Sequence, residues 1–259
     1  MSRSTFTMKH SGHDYVALVD RWLRLCKELS LSLEEIERVN DFPVLAIETA
    51  CPSAGVRPIY LSAGVHGDEC APVWGLLNWA EQNREILRSG SFQIFPCLNP
   101  VGLIENTRRD GDGIDLNRNF ENLSIPVIAA WHRKLADRRY RATLNLHEDY
   151  DATGIYLYEI AENPGLGRTL LSFCETTIPC DPGPEIDGQA FVNGLCHHDG
   201  KDVREVVEKE LGGGYPEAIY LKLNHTGCAL TFETPSELDL GIRIEAHQRA
   251  VEALVSHAP

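Results

Sequence analysis

The chain has 259 residues, of which 43% are hydrophobic, 24% charged and 8% aromatic. These fractions are typical of a globular protein and exclude a disordered, fibrous or low-complexity chain. A formal net charge of −14 would repel phosphate backbones and anionic lipids, so we expect neither a nucleic acid nor a membrane as partner. No apolar run is long enough to span a bilayer, and the N-terminus has no apolar signal segment. We therefore expect a cytoplasmic protein.

Apolar periodicity predicts strands and helices that alternate along the chain. In chain order we predict a helix over 15–29, strands over 42–50 and 57–65, a helix over 71–87, a strand over 92–98, a helix over 125–140, strands over 142–146 and 154–160, helices over 165–176 and 201–211, strands over 218–223 and 228–232, and a helix over 239–256. Such alternation is typical of the α/β class.

We predict a single α/β domain whose central sheet is mixed, mostly parallel and flanked by helices on both faces. The strand over 142–146 would lie near its centre. We assign residues 41–259 to this domain and residues 1–40 to an N-terminal helical extension packed on it.

The eight cysteines are spread singly along the chain, without a C-x-x-C pair. A chain of this size does not need disulfides to be stable, so we predict reduced, mostly buried thiols. A structural zinc site built from cysteines is also disfavoured, because such sites usually draw their ligands from closely spaced pairs.

The strand predicted at 57–65 leads into His66 and Glu69, just before a helix. Open α/β sheets place their sites at the carboxyl ends of strands. An imidazole and a carboxylate at this spacing can bind one cation, and Gly64 and Gly67 allow a sharp backbone bend beside His66. Alone the pair is weak evidence, because a chain with 10 His and 38 acidic residues contains such pairs by chance.

Further strands end on residues with similar chemistry. The strand over 142–146 is followed by His147, and the strand over 228–232 is followed by Glu233. The loop after the strand over 92–98 concentrates groups that can clamp an anion, namely Arg108, Asp115, Asn117 and Arg118. Together these strand ends carry the residue types that a hydrolytic metal site needs.

These segments resemble the zinc carboxypeptidase family, which includes murein-peptide amidases and is related to succinylglutamate desuccinylase and aspartoacylase. The resemblance covers residues 58–235 and depends on the order of its motifs, which are G-V-H-G-D-E at 64–69, D-L-N-R-N-F at 115–120 and the strands ending at His147 and Glu233. It does not place the family's substrate-facing tyrosine, for which Tyr215 and Tyr220 are candidates.

The resemblance implies a metal site. His66, Glu69 and His147 would bind one zinc ion per chain and leave a coordination position for water. Asp115 would orient His66 through its other ring nitrogen, although a simple loop cap is an alternative role. Glu148, which follows His147, could tune this site, but a solvated side chain is at least as well supported and we leave it out.

The resemblance also implies roles in catalysis and substrate binding. Glu233 would act as base and then as acid, and Arg108 would stabilise the oxyanion of the tetrahedral intermediate. Asn117 and Arg118 would hold the terminal carboxylate of the substrate, since a bidentate arginine matches that group.

Three functions remain open. The first is a metallocarboxypeptidase- or murein-peptide-amidase-type hydrolase that cleaves a small peptide or amide next to a residue with a free carboxylate. The second is an N-acyl-amino-acid deacylase of the succinylglutamate desuccinylase or aspartoacylase type. Those relatives carry a β-rich domain after the catalytic glutamate, whereas only residues 234–259 follow here, so we favour the first. The third is a non-catalytic zinc-binding module, against which Glu233 and Arg108 argue. The side-chain preference and the oligomeric state stay open.

Overall fold

The computed structural model describes residues 12–49, 55–201 and 203–258. Its strands are β1 (Ser32–Val39), β2 (Phe42–Glu48), β3 (Ile59–Ser62), β4 (Phe92–Phe95), β5 (Ala142–Asp149), β6 (Tyr156–Ala161), β7 (Glu185–Ile186), β8 (Gln189–Ala190), β9 (Leu195–His198) and β10 (Cys228–Pro235). Its helices are α1 (Tyr15–Leu29), α2 (Cys70–Gln82), α3 (Arg84–Ser89), α4 (Pro100–Glu105), α5 (Pro126–Leu135), α6 (Leu166–Cys174), α7 (Val203–Glu210), α8 (Glu217–Asn224) and α9 (Leu240–His257). A short 3₁₀ turn spans Leu116–Arg118.

Across the described ranges, eight strands form one mixed sheet in the order β1-β2-β4-β3-β5-β10-β6-β9. The four central strands β4, β3, β5 and β10 are parallel to one another. β2 and β6 pair antiparallel on either side of them, β1 pairs antiparallel with β2, and β9 pairs parallel with β6. This arrangement confirms the predicted α/β class with a mixed, mostly parallel sheet, and it places β5 near the centre.

Helices cover both faces of the sheet, as predicted. One face packs against α1, α2, α6 and α9 in a large apolar cluster that contains Trp22, Trp74 and Trp79. The other face packs against α5 and α8 in a second cluster that contains Trp131. All of these tryptophans are fully buried, so large aromatic side chains fill the core between the sheet and the helices on each face.

The helix predicted over 15–29 is confirmed as α1, and its ends follow from local chemistry. The Asp14 side chain accepts a hydrogen bond from the backbone N–H of Ala17 at 2.9 Å, which caps the first turn. At the other end Ser30 adopts a left-handed conformation with φ of 54°, which stops the helix. The buried face of α1 includes Leu18 and Trp22.

The prediction of a strand over 218–223 is wrong, because these residues lie in α8. Pro216 occupies the N-cap of this helix, and Ala218 and Leu221 are buried one turn apart. A short apolar run is compatible with the periodicity of a helix and with that of a strand. Here the helix forms, and it packs against β10 and β5.

The prediction that residues 1–40 are helical is wrong for residues 32–39, which form β1 and extend the sheet. Residues 1–11 lie outside the described residues, and a boundary at residue 40 stays a prediction. The last position of the strand predicted over 42–50 is likewise not described.

The described cysteines are free, as expected, and most of them are buried; Cys51 lies outside the described residues. Burial raises the pKa of Cys26 to about 12, so its thiol stays protonated near neutral pH. None of the helices in the described parts of the chain combines the length and the apolar character that crossing a bilayer requires.

Candidate active site

The structure brings the three predicted metal ligands together at the carboxyl ends of β3 and β5. His66 and Glu69 lie in the turn between β3 and α2, and His147 lies near the end of β5. One potential ligand atom from each residue lies within 4.8 Å of the other two, and all three residues are buried. In the described part of the chain, this is the one cluster of at least three His, Cys, Asp or Glu residues with such a spacing.

Glycines make this turn possible. Gly64 has φ of +63°, and a Cβ atom there would lie 2.8 Å from both Cys97 Sγ and a methyl carbon of Val73. A Cβ atom on Gly67 would lie 1.9 Å from the carbonyl carbon of Gly102. Side chains at these two positions would therefore clash with α2, with the segment after β4 and with α4, and would displace the His66 turn.

Both imidazole rings direct Nδ1 toward the Glu69 carboxylate. His66 Nδ1 contacts Glu69 Oε1, and His147 Nδ1 lies 2.9 Å from Glu69 Oε2. Two imidazoles and one carboxylate, all buried, form the donor set of many catalytic zinc sites, which use three nitrogen or oxygen ligands and keep a position for water. The residues present therefore fit a zinc ion.

The charges within the cluster attract a cation. Burial alone would lower the pKa of His66, but the Glu69 and Asp115 carboxylates outweigh burial and raise that pKa to about 9. Burial would raise the pKa of Glu69, but the neighbouring His66 and His147 rings hold that pKa well below its ordinary value. Glu69 is thus an ionised carboxylate between two rings that can bind a metal in place of protons.

Asp115 links the cluster of His66, Glu69 and His147 to the loop that carries Arg108 and Arg118. Its Oδ1 lies 3.3 Å from His66 Nε2 and accepts a hydrogen bond from the backbone N–H of Asn117 at 3.0 Å. Its Oδ2 accepts a hydrogen bond from Arg108 Nε at 3.1 Å. Asp115 therefore occupies both positions considered from the sequence, beside His66 and as a cap of the loop.

Arg108 reaches the edge of the metal cluster. Its Nη1 lies 3.2 Å from His66 Nδ1 and 3.8 Å from Glu69 Oε1, and its side chain is 44% exposed. A half-exposed guanidinium held by Asp115 is placed to meet a negatively charged oxygen that enters from the solvent side.

Asn117 and Arg118 lie in the 3₁₀ turn that follows Asp115. Asn117 Oδ1 accepts a hydrogen bond from the backbone N–H of Glu217 at 2.9 Å, which fixes the orientation of the amide. Arg118 Nη1 donates to the backbone carbonyl of Asn117 at 2.9 Å. Glu217 itself is buried, and it accepts hydrogen bonds from the Tyr60 hydroxyl and, at 3.0 Å, from Ser62 Oγ.

Glu233 lies on the same sheet face as His147. In the sheet it is paired in register with His147 of β5 on one side and with Tyr156 of β6 on the other. It does not belong to the metal cluster. Burial raises the pKa of Glu233 well above its ordinary value, with help from the negative charges of Glu69 and Asp149. A carboxyl group held beside a metal site without ligating the metal is suited to moving protons.

An aromatic wall beside Glu233 was not predicted from the sequence. Tyr156 and Tyr158 of β6 pack around Phe191, with ring centroids 5.4 and 5.1 Å away. The sequence contained part of the signal, because alternate residues of a strand share a face and Tyr156 and Tyr158 alternate. The pairing of Tyr156 with Glu233 is visible only in the structure. Of the two tyrosines considered earlier, Tyr220 packs against Trp131 in the second apolar cluster, and Tyr215 is buried.

Glu148 also differs from its predicted environment. It is buried rather than solvated, and Arg243 of α9 forms an ion pair with it at 2.5 Å. Because β5 alternates its side chains, Glu148 points to the opposite sheet face from His147, where α2 and α9 cover the sheet.

Comparison with known proteins supports the same relationships. The family model of the succinylglutamate desuccinylase/aspartoacylase catalytic domain matches residues 56–163. Carboxypeptidase SOL1 of Arabidopsis thaliana is 30% identical over 147 residues, which cover 47% of this chain and 30% of that protein. The chain thus spans about a third of the length of this curated relative.

Solved structures share the fold. A proposed metallopeptidase from Shewanella amazonensis superposes with a TM-score of 0.80 at 22% identity, covering 95% of this chain and 94% of that one. A metallo-carboxypeptidase from Burkholderia cenocepacia superposes with a TM-score of 0.67 at 14% identity, covering 92% and 68%. The comparisons confirm the resemblance to the zinc carboxypeptidase family and its desuccinylase and aspartoacylase relatives, and the chain has the fold of these carboxypeptidase-like structures.

Proposed function

We propose that the chain is a zinc-dependent hydrolase that cleaves a peptide or amide bond next to a residue with a free carboxylate. The observation that carries this proposal is the buried cluster of His66, Glu69 and His147, with Arg108 at its edge and Glu233 on the same sheet face. A non-catalytic zinc-binding module would need neither Arg108 nor Glu233 in these places.

The chain's own residues supply the acid-base and electrostatic parts of the reaction. A bound zinc ion lowers the pKa of a coordinated water toward about 7 and polarises a carbonyl group. Glu233 accepts a proton from the attacking water and returns it to the leaving nitrogen. The Arg108 guanidinium stabilises the negative charge that develops on the carbonyl oxygen, and Asp115 holds that guanidinium in position.

Recognition of the substrate carboxylate belongs to Asn117 and Arg118. The Asn117 amide is already oriented by its hydrogen bond from Glu217, and Arg118 follows directly in the same turn. A guanidinium and an amide can together donate several hydrogen bonds to one carboxylate, which favours substrates that end in this group.

Deacylation of an N-acyl amino acid is the second candidate, and the family match over residues 56–163 favours it specifically. Such a substrate also carries a carboxylate next to the scissile amide, so the same residues would serve. The two candidates differ in what lies on the acyl side of the bond, a peptide in one and a small acyl group in the other.

A substrate panel separates these candidates. The protein, loaded with one equivalent of zinc, is incubated with dipeptides, murein peptides and N-acyl amino acids, and amine release is measured. We expect the highest kcat/KM on peptides or murein peptides, and no turnover of their C-terminally amidated forms. A preference for N-acyl amino acids would support the second candidate. Zinc-loaded protein that hydrolyses none of these compounds would contradict both.

A further inference from the structure

Helix α2 begins at a metal ligand that does not cap it. Glu69 occupies the N-cap position, but its side chain makes no capping hydrogen bond, because it turns toward His66 and His147. The first N–H groups of a helix need acceptors from elsewhere. The backbone N–H of Ala71 finds one in Glu148 Oε2, at 2.9 Å. The cap of α2 therefore comes from β5, from the residue that follows His147.

Glu148 is hydrogen-bonded to Glu69 as well as to α2, the helix that begins after Glu69. The backbone N–H of Glu148 donates to Glu69 Oε2 at 3.1 Å. Glu148 thus holds the ligand carboxylate with its main chain and the start of the ligand's helix with its side chain. Two of the three metal-ligand positions, Glu69 and His147, are joined through this one residue.

The C-terminal helix completes the arrangement. Arg243 Nη1 lies 2.5 Å from Glu148 Oε1, and Thr234 Oγ1 donates to the same oxygen at 3.3 Å. Arg243 is fixed in turn, because its Nε donates to the backbone carbonyl of Leu238 at 2.8 Å. The Glu148 side chain is fully buried and that of Arg243 is 11% exposed, so the pair is shielded from solvent.

The geometry points to a positioning role for the Glu148–Arg243 pair, through which helix α9 sets the placement of Glu69 and His147 and thereby the affinity of the metal site. This inference depends on the metal binding that forms part of the proposed function. Without Arg243, a buried carboxylate next to Glu69 would lose its counter-charge. Glu148 would then move, and its hydrogen bond from Ala71 and its hold on the Glu69 turn would weaken.

The test compares two arginines of α9. In the full-length chain, Arg243→Met removes the charge while keeping a long side chain, and Arg243→Lys keeps the charge. Arg249→Met is the matched control, because Arg249 forms an exposed ion pair with Glu245 at 2.9 Å on the same helix. Zinc affinity is measured by competition with a chelator of known affinity, and the ligand geometry is followed by the visible absorption of the cobalt(II)-substituted protein.

We expect Arg243→Met to weaken zinc binding by about 10- to 100-fold, which is typical for residues that support metal ligands, and to alter the cobalt spectrum. Arg243→Lys should recover part of the affinity, and Arg249→Met should match the wild type in both measurements. Wild-type affinity and spectrum in Arg243→Met would overturn the inference, as would an equal loss in Arg249→Met.

A second variant covers the case in which Arg243→Met does not fold, as judged by circular dichroism. Glu148→Gln keeps the shape of the side chain and an oxygen acceptor but removes its charge, so it should also weaken zinc binding. Unchanged affinity in Glu148→Gln would then overturn the inference. Because these readouts are metal binding and ligand geometry, they remain valid if the wild type binds zinc but hydrolyses no substrate, which would contradict only the proposed function.

Discussion

Replacing Glu233 with Gln should separate proton transfer from metal binding and from folding. Glu233 lies outside the cluster of His66, Glu69 and His147, so the metal ligands stay complete. Glutamine keeps the shape of the side chain and removes a charge that Glu69 repels. The free energy of unfolding should therefore fall by no more than about 1 kcal/mol.

Turnover should nevertheless collapse. General acid-base catalysis is typically worth about 10²- to 10⁴-fold in rate, which corresponds to roughly 2.7 to 5.4 kcal/mol of transition-state stabilisation. The assay measures kcat at saturating concentrations of the best substrate from the panel, with zinc content by elemental analysis and stability by urea unfolding on the same preparations. Exposed Glu252 in α9 provides the control variant Glu252→Gln, which should resemble the wild type throughout. Near-normal kcat in Glu233→Gln, or loss of zinc together with activity, would refute the assignment of Glu233 as the base.

Further predictions concern the metal, the substrate carboxylate and the core. His66→Ala and His147→Ala should each lose the single equivalent of zinc that elemental analysis finds in the wild type; full stoichiometry in both variants would contradict the site. Removing zinc with a chelator should lower the melting temperature, since a metal present at 100 times its Kd stabilises by about 2.7 kcal/mol. Arg118→Ala should raise KM by about 10- to 100-fold with a smaller change in kcat, because the carboxylate is bound in both ground and transition states; an unchanged KM would exclude this role. Tyr60→Phe should reduce the free energy of unfolding by about 1–3 kcal/mol, because it removes a hydrogen bond to the buried carboxyl of Glu217, and urea unfolding at an unchanged m-value would measure this loss.

The fold class could be predicted from local signals, whereas the convergence of His66, Glu69 and His147 was predicted from strand-end residues together with the order of motifs shared with the zinc carboxypeptidase family. Apolar strands that end on polar residues mark the carboxyl edge of a parallel sheet, and the three residues meet there because β3 and β5 are neighbours. Strand β1 gave no such signal, since its S-L-E-E-I-E-R-V segment is largely polar and only pairing with β2 makes it a strand. Helix α8 was mistaken for a strand because a short apolar run fits both periods until its packing partner is known.

Glu148 shows a different limit. Its residue type alone suggested exposure, since isolated carboxylates are rarely buried. The two-residue alternation of β5 contained the correct answer: if His147 faces the site, Glu148 must face the helices on the other side. What the sequence could not supply was the partner, because Arg243 lies far along the chain and meets Glu148 only through the packing of α9.

The distribution of tryptophans gives the two layers of the fold separate optical reporters. Trp22, Trp74 and Trp79 lie on one side of the sheet, whereas Trp131 lies on the other. In a variant that keeps only Trp131, intrinsic fluorescence would follow the α5–α8 layer alone, and in a Trp131→Phe variant it would follow the opposite layer. In each variant, a fluorescence curve that coincides with the far-UV circular dichroism curve of the same variant would mean that both layers unfold in one cooperative step. A fluorescence curve that departs from the circular dichroism curve would mean that the layer containing the tryptophan unfolds separately from the rest.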